Sequence, residues 1–132
     1  MKKLYETLTE VLIQRGFDVA TWGEDEEQPE SRTLRLEVIE QAQIAPSFDM
    51  YEATFTVVFL QGDWATNAAN LSDALTTLIP VEDRPDTESR SLPDNSDKLT
   101  LLDIPQFSEI TVEYNEDTAE EEHSVMVSIH YS

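Results

Sequence analysis

The clearest pattern of hydrophobic and polar positions lies between residues 50 and 79. From Met50 to Leu60 every second residue is apolar, as one buried face of a β-strand requires. From Trp64 to Ile79 apolar residues recur at spacings of four and three, which predicts one buried face of a helix. The apolar positions of the strand are Tyr51, Ala53, Phe55, Val57 and Phe59, and those of the helix are Trp64, Ala68, Leu71, Leu75 and Leu78.

Local residues also indicate where the predicted helix of this strand–turn–helix unit begins and ends. Asp63 can accept hydrogen bonds from the first free amides of the helix, and Pro80 ends the helix. We expect the other elements to pack onto this unit.

Similar patterns predict one more helix and four more strands. The helix covers residues 2–15 and ends at Gly16, where a left-handed residue is favoured. Residues 41–48, which include Pro46, are predicted to be a connection, and residues 99–107 to be a short strand or a docked segment. The further strands are predicted at residues 17–22, 33–40, 109–114 and 124–131, the last with Val125, Val127, Ile129 and Tyr131 on one face.

This order of elements predicts the fold class. We expect an α+β fold with a mostly antiparallel or mixed sheet of four to five strands and two helices packed on one face. No repeat or domain boundary interrupts the pattern, so residues 1–132 are predicted to form a single domain.

Three polar segments separate the predicted elements, and they hold many of the acids. Residues 23–31 contain five carboxylates in nine positions, and residues 115–122 form a second acidic turn. Residues 81–98 are a third, a long loop with little periodicity, a kind that is usually functional or disordered. The acids predicted to line a loop or a lumen are Glu24, Asp25, Glu26, Glu27, Glu120, Glu121 and Glu122.

The charge balance limits the classes of partner that the chain is expected to bind. The net charge is −20, with 28 acids against 8 lysines and arginines, and such a field repels nucleic acid and anionic membranes. Two readings of the acidity remain: the chain imitates DNA, or it forms a surface past which DNA slides. The chain has no cysteine and no apolar run near the roughly 18 residues of a membrane span. We therefore expect a soluble intracellular protein.

The candidate chemical groups favour a protein that is not an enzyme. His123 and His130 are the only histidines, and zinc usually needs three or four convergent ligands. Residues 94–97 resemble a calcium loop but lack its glycine and closing glutamate. No Gly-x-Ser-x-Gly elbow or glycine-rich phosphate loop occurs. We expect no catalytic residue, no bound metal and no cofactor.

Few cations are present, and four of them are predicted to contact a partner. Arg32 and Arg35 follow the most acidic segment and could receive the acidic loop of a neighbouring subunit. The alternative for this pair is an ion pair within the chain, worth about 0–1 kcal/mol at the surface. Arg84 and Arg90, in the long loop, are assigned to the same kind of contact.

Several of these features together resemble the tail terminator proteins of long-tailed bacteriophages, also called minor tail or tail-completion proteins, of the lambda type. The shared features are the size, the acidity and the helix at residues 2–15. To these are added the aromatic-rich strand at residues 51–59, the helix that contains residues 73–80, and the final strand that ends Ile-His-Tyr at residues 129–131.

The resemblance implies a structural function in the virion tail, after assembly in the host cytoplasm. Proteins of that family form a hexameric ring that caps the tail tube, ends its polymerisation and joins the head. The implied partners are other copies of the chain, the tail tube protein and a head-completion or connector protein, while DNA passes without being bound. The alternatives from other classes are an acidic DNA mimic, and an inhibitor or immunity protein that binds a basic partner.

Overall fold

The computed structural model of the chain describes residues 2–21, 34–45, 49–60, 63–117 and 120–132. In these residues a six-stranded sheet is combined with two helices of 13 residues each and two short helical turns. The helices are α1 (Lys2–Gln14), α2 (Trp64–Thr76) and α3 (Thr87–Arg90), with a 3₁₀ turn at Val81–Asp83. The strands are β1 (Val19–Thr21), β2 (Leu34–Ala45), β3 (Met50–Phe59), β4 (Gln106–Phe107), β5 (Thr111–Asn115) and β6 (Glu120–Tyr131). The predicted α+β class is confirmed.

The sheet is built on three long antiparallel strands. Its order is β1-β2-β3-β6-β4, and β5 also pairs with β6. β1 lies parallel to β2, whereas every other pairing is antiparallel. β4 pairs with residues 127–128 of β6 and β5 with residues 120–124, so β4 and β5 are two pieces of one interrupted edge strand. This interruption is why the sheet has six strands where the sequence predicts four to five.

One face of the sheet is buried against α1 and α2. Ala53, Phe55, Val57 and Phe59 of β3 are buried, which confirms the period-two pattern, and Tyr51 is half-buried. A large apolar side chain contributes about 1.5–3 kcal/mol when it is fully buried, so this shared layer is the main source of stability. The buried positions of the other long elements are Leu4, Leu8, Val11, Leu12, Leu34, Leu36, Leu71, Ala74, Leu75, Val125, Val127, Ile129 and Tyr131.

The end of α1 and the start of α2 have the signals that the sequence predicts, whereas α2 ends at Thr76 and not at Ile79. Gly16 follows α1 with a φ of +98°, a conformation that costs glycine little because it has no Cβ. At the start of α2, Asp63 accepts a hydrogen bond from the backbone amide of Thr66 at 3.2 Å. The side-chain hydrogen bond from the Thr66 hydroxyl, followed by that amide bond, lowers the pKa of Asp63.

The structure corrects three predictions of local structure. Residues 41–45 continue β2 instead of forming a connection, because they pair with the first residues of β3 in one long hairpin. Residues 81–98 are not an unstructured loop, since they contain the 3₁₀ turn and α3. The acidic turn at residues 115–122 is shorter than predicted, since β5 extends to Asn115 and β6 begins at Glu120.

The prediction for Trp64 is wrong, and one predicted acidic segment is not described by the structure. Trp64 does not lie on the buried face of α2, because its side chain is 42% exposed at the first residue of the helix. The acidic segment at residues 23–31 lies outside the described residues.

Candidate interaction surface

Arg84, one of the four cations assigned to a partner contact, lies in the interior. Its side chain is 1% exposed, and its Nε donates a hydrogen bond to the carbonyl oxygen of Ile79 at 2.9 Å. The other four N–H groups of the guanidinium also donate to backbone carbonyls. The acceptors are Ser89 and Leu92 at 2.8 Å, Pro93 at 2.8 Å and Thr77 at 3.4 Å.

The position of these carbonyls explains why a charged side chain is stable there. Thr77 and Ile79 directly follow α2, and Ser89 belongs to α3. Free carbonyls at the C-terminal end of a helix have a partial negative charge that favours a cation. The five donors of Arg84 therefore organise residues 77–93 into one compact unit. The assignment of Arg84 to a partner contact is wrong, because its guanidinium has no donor left to offer.

The other predicted contact cations have different positions. Arg35 is half-buried and its Nε lies 3.0 Å from the Glu37 carboxylate, which is the intramolecular pair considered as the alternative. Arg90 is exposed in the last turn of α3, and its charge helps to lower the pKa of Asp86, after the hydrogen bonds from Ser89. Arg32 lies outside the described residues.

Two further cations are also held by carboxylates of the same chain. Arg15 lies 2.7 Å from Asp73, and Lys98 lies 3.0 Å from Glu10. These pairs neutralise cations locally and leave the surrounding acids facing solvent.

The acids remain at the surface. Among the described side chains no aspartate or glutamate is buried. The structure places Glu120, Glu121 and Glu122 in β6 and not in a loop, opposite residues 113–115 of β5. Glu24, Asp25, Glu26 and Glu27 lie outside the described residues. The predicted acidic lining is thus divided between a strand and a segment of which the structure says nothing.

Exposed apolar side chains concentrate in the interrupted edge strand and in the residues just before it. Of the nine large hydrophobic side chains that are exposed in the described part of the chain, five lie between residues 102 and 114. They are Leu102, Ile104, Phe107, Val112 and Tyr114. Edge strands with such side chains are templates for pairing with another chain, and natural proteins usually protect them.

The apolar groups of β5 adjoin an aromatic stack at the start of α2. The ring of Trp64 stacks on that of His123, with centroids 5.9 Å apart and an interplanar angle of 13°. His123 lies opposite Val112 in the β5–β6 pair, and Val112 and Tyr114 are 52% and 64% exposed. Because partners in register share a face of the sheet, these side chains lie on the helix-bearing side. We call the set Trp64, Val112, Tyr114 and His123 the apolar ledge.

The sequence does not reveal the ledge in advance. Alternation predicts that Val112 and Tyr114 share a face, but not that the face is left uncovered. The sequence signal that could have indicated the exposed face is the set of acids near these residues. Glu113 lies between the two apolar residues, and Glu116 and Asp117 follow. Charged side chains are common on exposed edge strands, so this run of acids indicates an exposed strand.

The other histidine lies between two carboxylates on the opposite face of the sheet. His130 Nδ1 lies 3.1 Å from Asp103, and its Nε2 lies 3.8 Å from Glu52. Within the described residues, however, no group of three or more histidine, cysteine, aspartate or glutamate side chains is positioned to hold a metal ion.

In the segment that resembles a calcium loop, Asp94 accepts hydrogen bonds from the amide and hydroxyl of Ser96, which close a local turn and lower the Asp94 pKa.

Tyr51 and Tyr131 line a small cavity at the end of the sheet. The rings of Tyr51 and Tyr131 stack with centroids 5.5 Å apart, and the Tyr51 hydroxyl donates to Asp49 at 2.7 Å. That hydrogen bond and the charge of Asp49 raise the pKa of Tyr51, and burial raises that of Tyr131. Gln41 donates to the Tyr131 hydroxyl. Both phenols therefore stay protonated at neutral pH and act as structural hydrogen-bonding groups.

The comparisons with known proteins do not assign the chain to a family. Neither protein-family models nor curated protein sequences match the chain. In the described residues, no helix is both long enough and apolar enough to cross a membrane. The resemblance to tail terminators therefore remains a hypothesis that must be argued from the residues themselves.

Proposed function

We propose that this chain is a structural subunit of the tail-terminator kind, which assembles into a ring at the end of a phage tail tube. In this function it stops growth of the tube and presents a surface to a head-completion protein. Its site of action is the virion tail, and no chemical step takes place on it. The support comes from the fold, the surface charge and the sequence resemblance.

The single observation that carries this proposal is the distribution of charge. The acids that the structure describes face solvent, whereas Arg84 is buried and Arg15, Arg35 and Lys98 have carboxylate partners in the same chain. A protein binds DNA largely through lysines and arginines that meet phosphates. Among the described side chains Arg90 is also exposed, but exposed carboxylates greatly outnumber it, so this surface repels phosphates as the wall of a DNA conduit requires.

The fold supports the same function. A closed ring repeats one heterologous interface, so it needs two different surfaces on each subunit. In the described residues the strand order runs between two unlike ends, the short parallel strand β1 at one side and the two-residue strand β4 at the other. The predicted strand–turn–helix unit, β3 and α2, lies between these ends and gives them a rigid support.

The charge also predicts how assembly depends on salt. Each copy adds a net charge of −20, so copies repel one another in dilute buffer. Raising the salt from about 0.1 M to about 1 M shortens the screening length from about 10 Å to about 3 Å. We expect the weight-average mass from sedimentation velocity to increase with salt and the protein to be mostly monomeric at low salt.

A control protein of similar size with a net charge near zero separates this effect from salting out. If the mass of the acidic protein falls as salt rises, attraction between charges holds the copies together, and the proposed arrangement of surfaces is wrong. If the mass equals one chain at every salt and protein concentration, even with tail tubes present, the ring proposal fails.

A second candidate function is an acidic inhibitor or immunity protein that binds a basic partner. The observation that favours it is the apolar ledge, whose exposed side chains lie among the acids of the β5–β6 hairpin. A DNA mimic belongs to the same class and would displace DNA from an enzyme. Capture of a cationic toxin, or inhibition of DNA cleavage by a restriction enzyme, would favour this class over the ring.

A further inference from the structure

The free edge of β5 combines three properties that are seldom found together. In the part of the chain that the structure describes, β5 pairs only with β6, so its other edge has unused N–H and C=O groups. Val112 and Tyr114 on its helix-bearing side are more than half exposed. On its other side Glu113 is exposed and lies directly opposite Glu122 of β6, so this side of the edge is acidic.

We propose that this edge binds an extended, basic segment of a partner protein, which adds a strand beside β5. In strand addition the backbone hydrogen bonds give affinity and alternate side chains give specificity. A strand beside β5 would place every second side chain against Val112 and Tyr114 and the others beside Glu113. The segment that fits therefore alternates apolar residues with lysine or arginine over about five residues, the length of a typical strand.

Charge selects a basic segment of another protein over the β5 strand of a second copy of this chain. The edge is bordered by exposed Glu109, Glu113, Glu116 and Glu121, and a second β5 strand would place further glutamates against them. A cation beside the exposed carboxylate of Glu113 would instead be attracted to it. The Trp64 ring, stacked on His123 at the end of the ledge, offers a face for a cation or an apolar side chain.

This inference does not depend on the ring proposal, because it concerns one edge of the isolated chain. Its failure would leave the ring proposal standing, and failure of the ring would leave this edge available.

The test uses a synthetic peptide of about seven residues in which lysine and valine alternate. A second peptide has the same order of side chains and the same charge, but it cannot add to a sheet. N-methyl groups on its backbone nitrogens block hydrogen bonding along one edge, and D-residues disrupt the other edge. We expect the first peptide to slow hydrogen exchange of the β5 amides and to shift their NMR signals. We expect the second peptide to bind about tenfold more weakly.

Variants of the whole chain locate the site. Val112→Lys and Tyr114→Lys place a cation on the ledge, and either should weaken binding of the unmodified peptide about tenfold. The matched control is Ile13→Lys, because Ile13 is 56% exposed on α1 and lies outside the ledge. This control should leave the affinity unchanged, and circular dichroism establishes that each variant is folded.

Three results would overturn the inference. One is equal binding of the two peptides, which would indicate attraction to net charge alone. Another is protection of amides elsewhere in the sheet. The third is a loss of self-association in Val112→Lys while peptide binding stays the same, which would assign the edge to a second copy of the chain.

Discussion

The guanidinium of Arg84 and the carbonyl oxygen of Ile79 meet at 2.9 Å just beyond the end of α2. This contact ties the C-terminal end of the helix to a segment whose sequence has little regular pattern. It also shows how an isolated cation in an acidic chain is used to satisfy backbone carbonyls inside the fold.

We predict that Arg84→Ala is the most destabilising substitution of a charged residue in this chain. It removes five donors to carbonyls that are buried or part-buried, of which those of Thr77 and Ser89 keep a backbone amide donor. The free energy of unfolding should fall by about 3–5 kcal/mol. Arg84→Lys should recover only part of this loss, because an ammonium has three donors and no planar fork. Urea unfolding measures both variants.

The control for this prediction is Arg90→Ala, since Arg90 is exposed in the same segment. Its effect should lie within about 0.5 kcal/mol of zero. Equal effects of the two alanine variants would show that the buried hydrogen bonds contribute no more than a surface charge.

Gly16 provides a prediction about backbone strain alone. Its φ is +98°, and a Cβ added there would meet no atom within 4 Å. Gly16→Ala should therefore destabilise the fold by about 1–2 kcal/mol through conformation and not through a clash. Gly16→Asn should cost less, because asparagine tolerates positive φ better than alanine. Thermal unfolding compares them, and an unchanged stability of Gly16→Ala would mean that α1 ends in another way.

The cap of α2 predicts a dependence of stability on acid. The hydrogen bonds from Thr66 hold the pKa of Asp63 below its ordinary value of 3.8. The fold therefore favours the charged carboxylate: the contribution of Asp63 is complete above pH 3.8 and is lost as the pH falls through the lower, folded value. The same direction holds for Asp86 at the start of α3.

Asp63→Asn is the comparison that isolates this effect, because asparagine also caps helices but does not titrate in this range. Between about pH 5 and about pH 2, the stability of the unmodified chain should fall more than that of the variant. If the two stabilities fall in parallel, the carboxylate of Asp63 does not contribute as the structure indicates.

The stack of Trp64 on His123 should contribute a measurable coupling between α2 and β6. In a double-mutant cycle with alanine at both positions, we expect a coupling free energy of about 0.5–1.5 kcal/mol, towards the lower end because Trp64 is partly exposed. The matched cycle pairs Trp64 with His130, which it does not stack on, and should be additive. Coupling of the same size in both cycles would contradict a specific contact.

The sequence predicts the centre of this fold well and its margins poorly. β3 and α2 follow their periods closely because each has one face against the core, and Asp63 is a local signal that acts within one helical turn. For residues 41–48 the sequence predicts a connection because the segment contains Pro46. The strand conformation of residues 41–45 depends on pairing with β3, which is not a local property.

The candidate interaction surface could not be predicted from the sequence, for a related reason. Cations are usually exposed, so Arg84 was assigned to the surface, and only the assembled helix ends show that five carbonyls converge on it. Trp64 matched the helical period, yet it stands at the first residue of α2, beyond the layer that buries Leu71 and Leu75. Whether an apolar face is covered is decided by the placement of other elements, which no periodicity encodes.

The proposed function depends most on self-assembly into a closed ring. Negative-stain electron microscopy of the purified chain, at about 1 M salt where charge repulsion is screened over about 3 Å, tests it directly. We expect uniform rings with a central hole, and a six-fold average among their classes. A field of particles no larger than one chain at this salt, and also in the presence of tail tubes, would contradict the proposal.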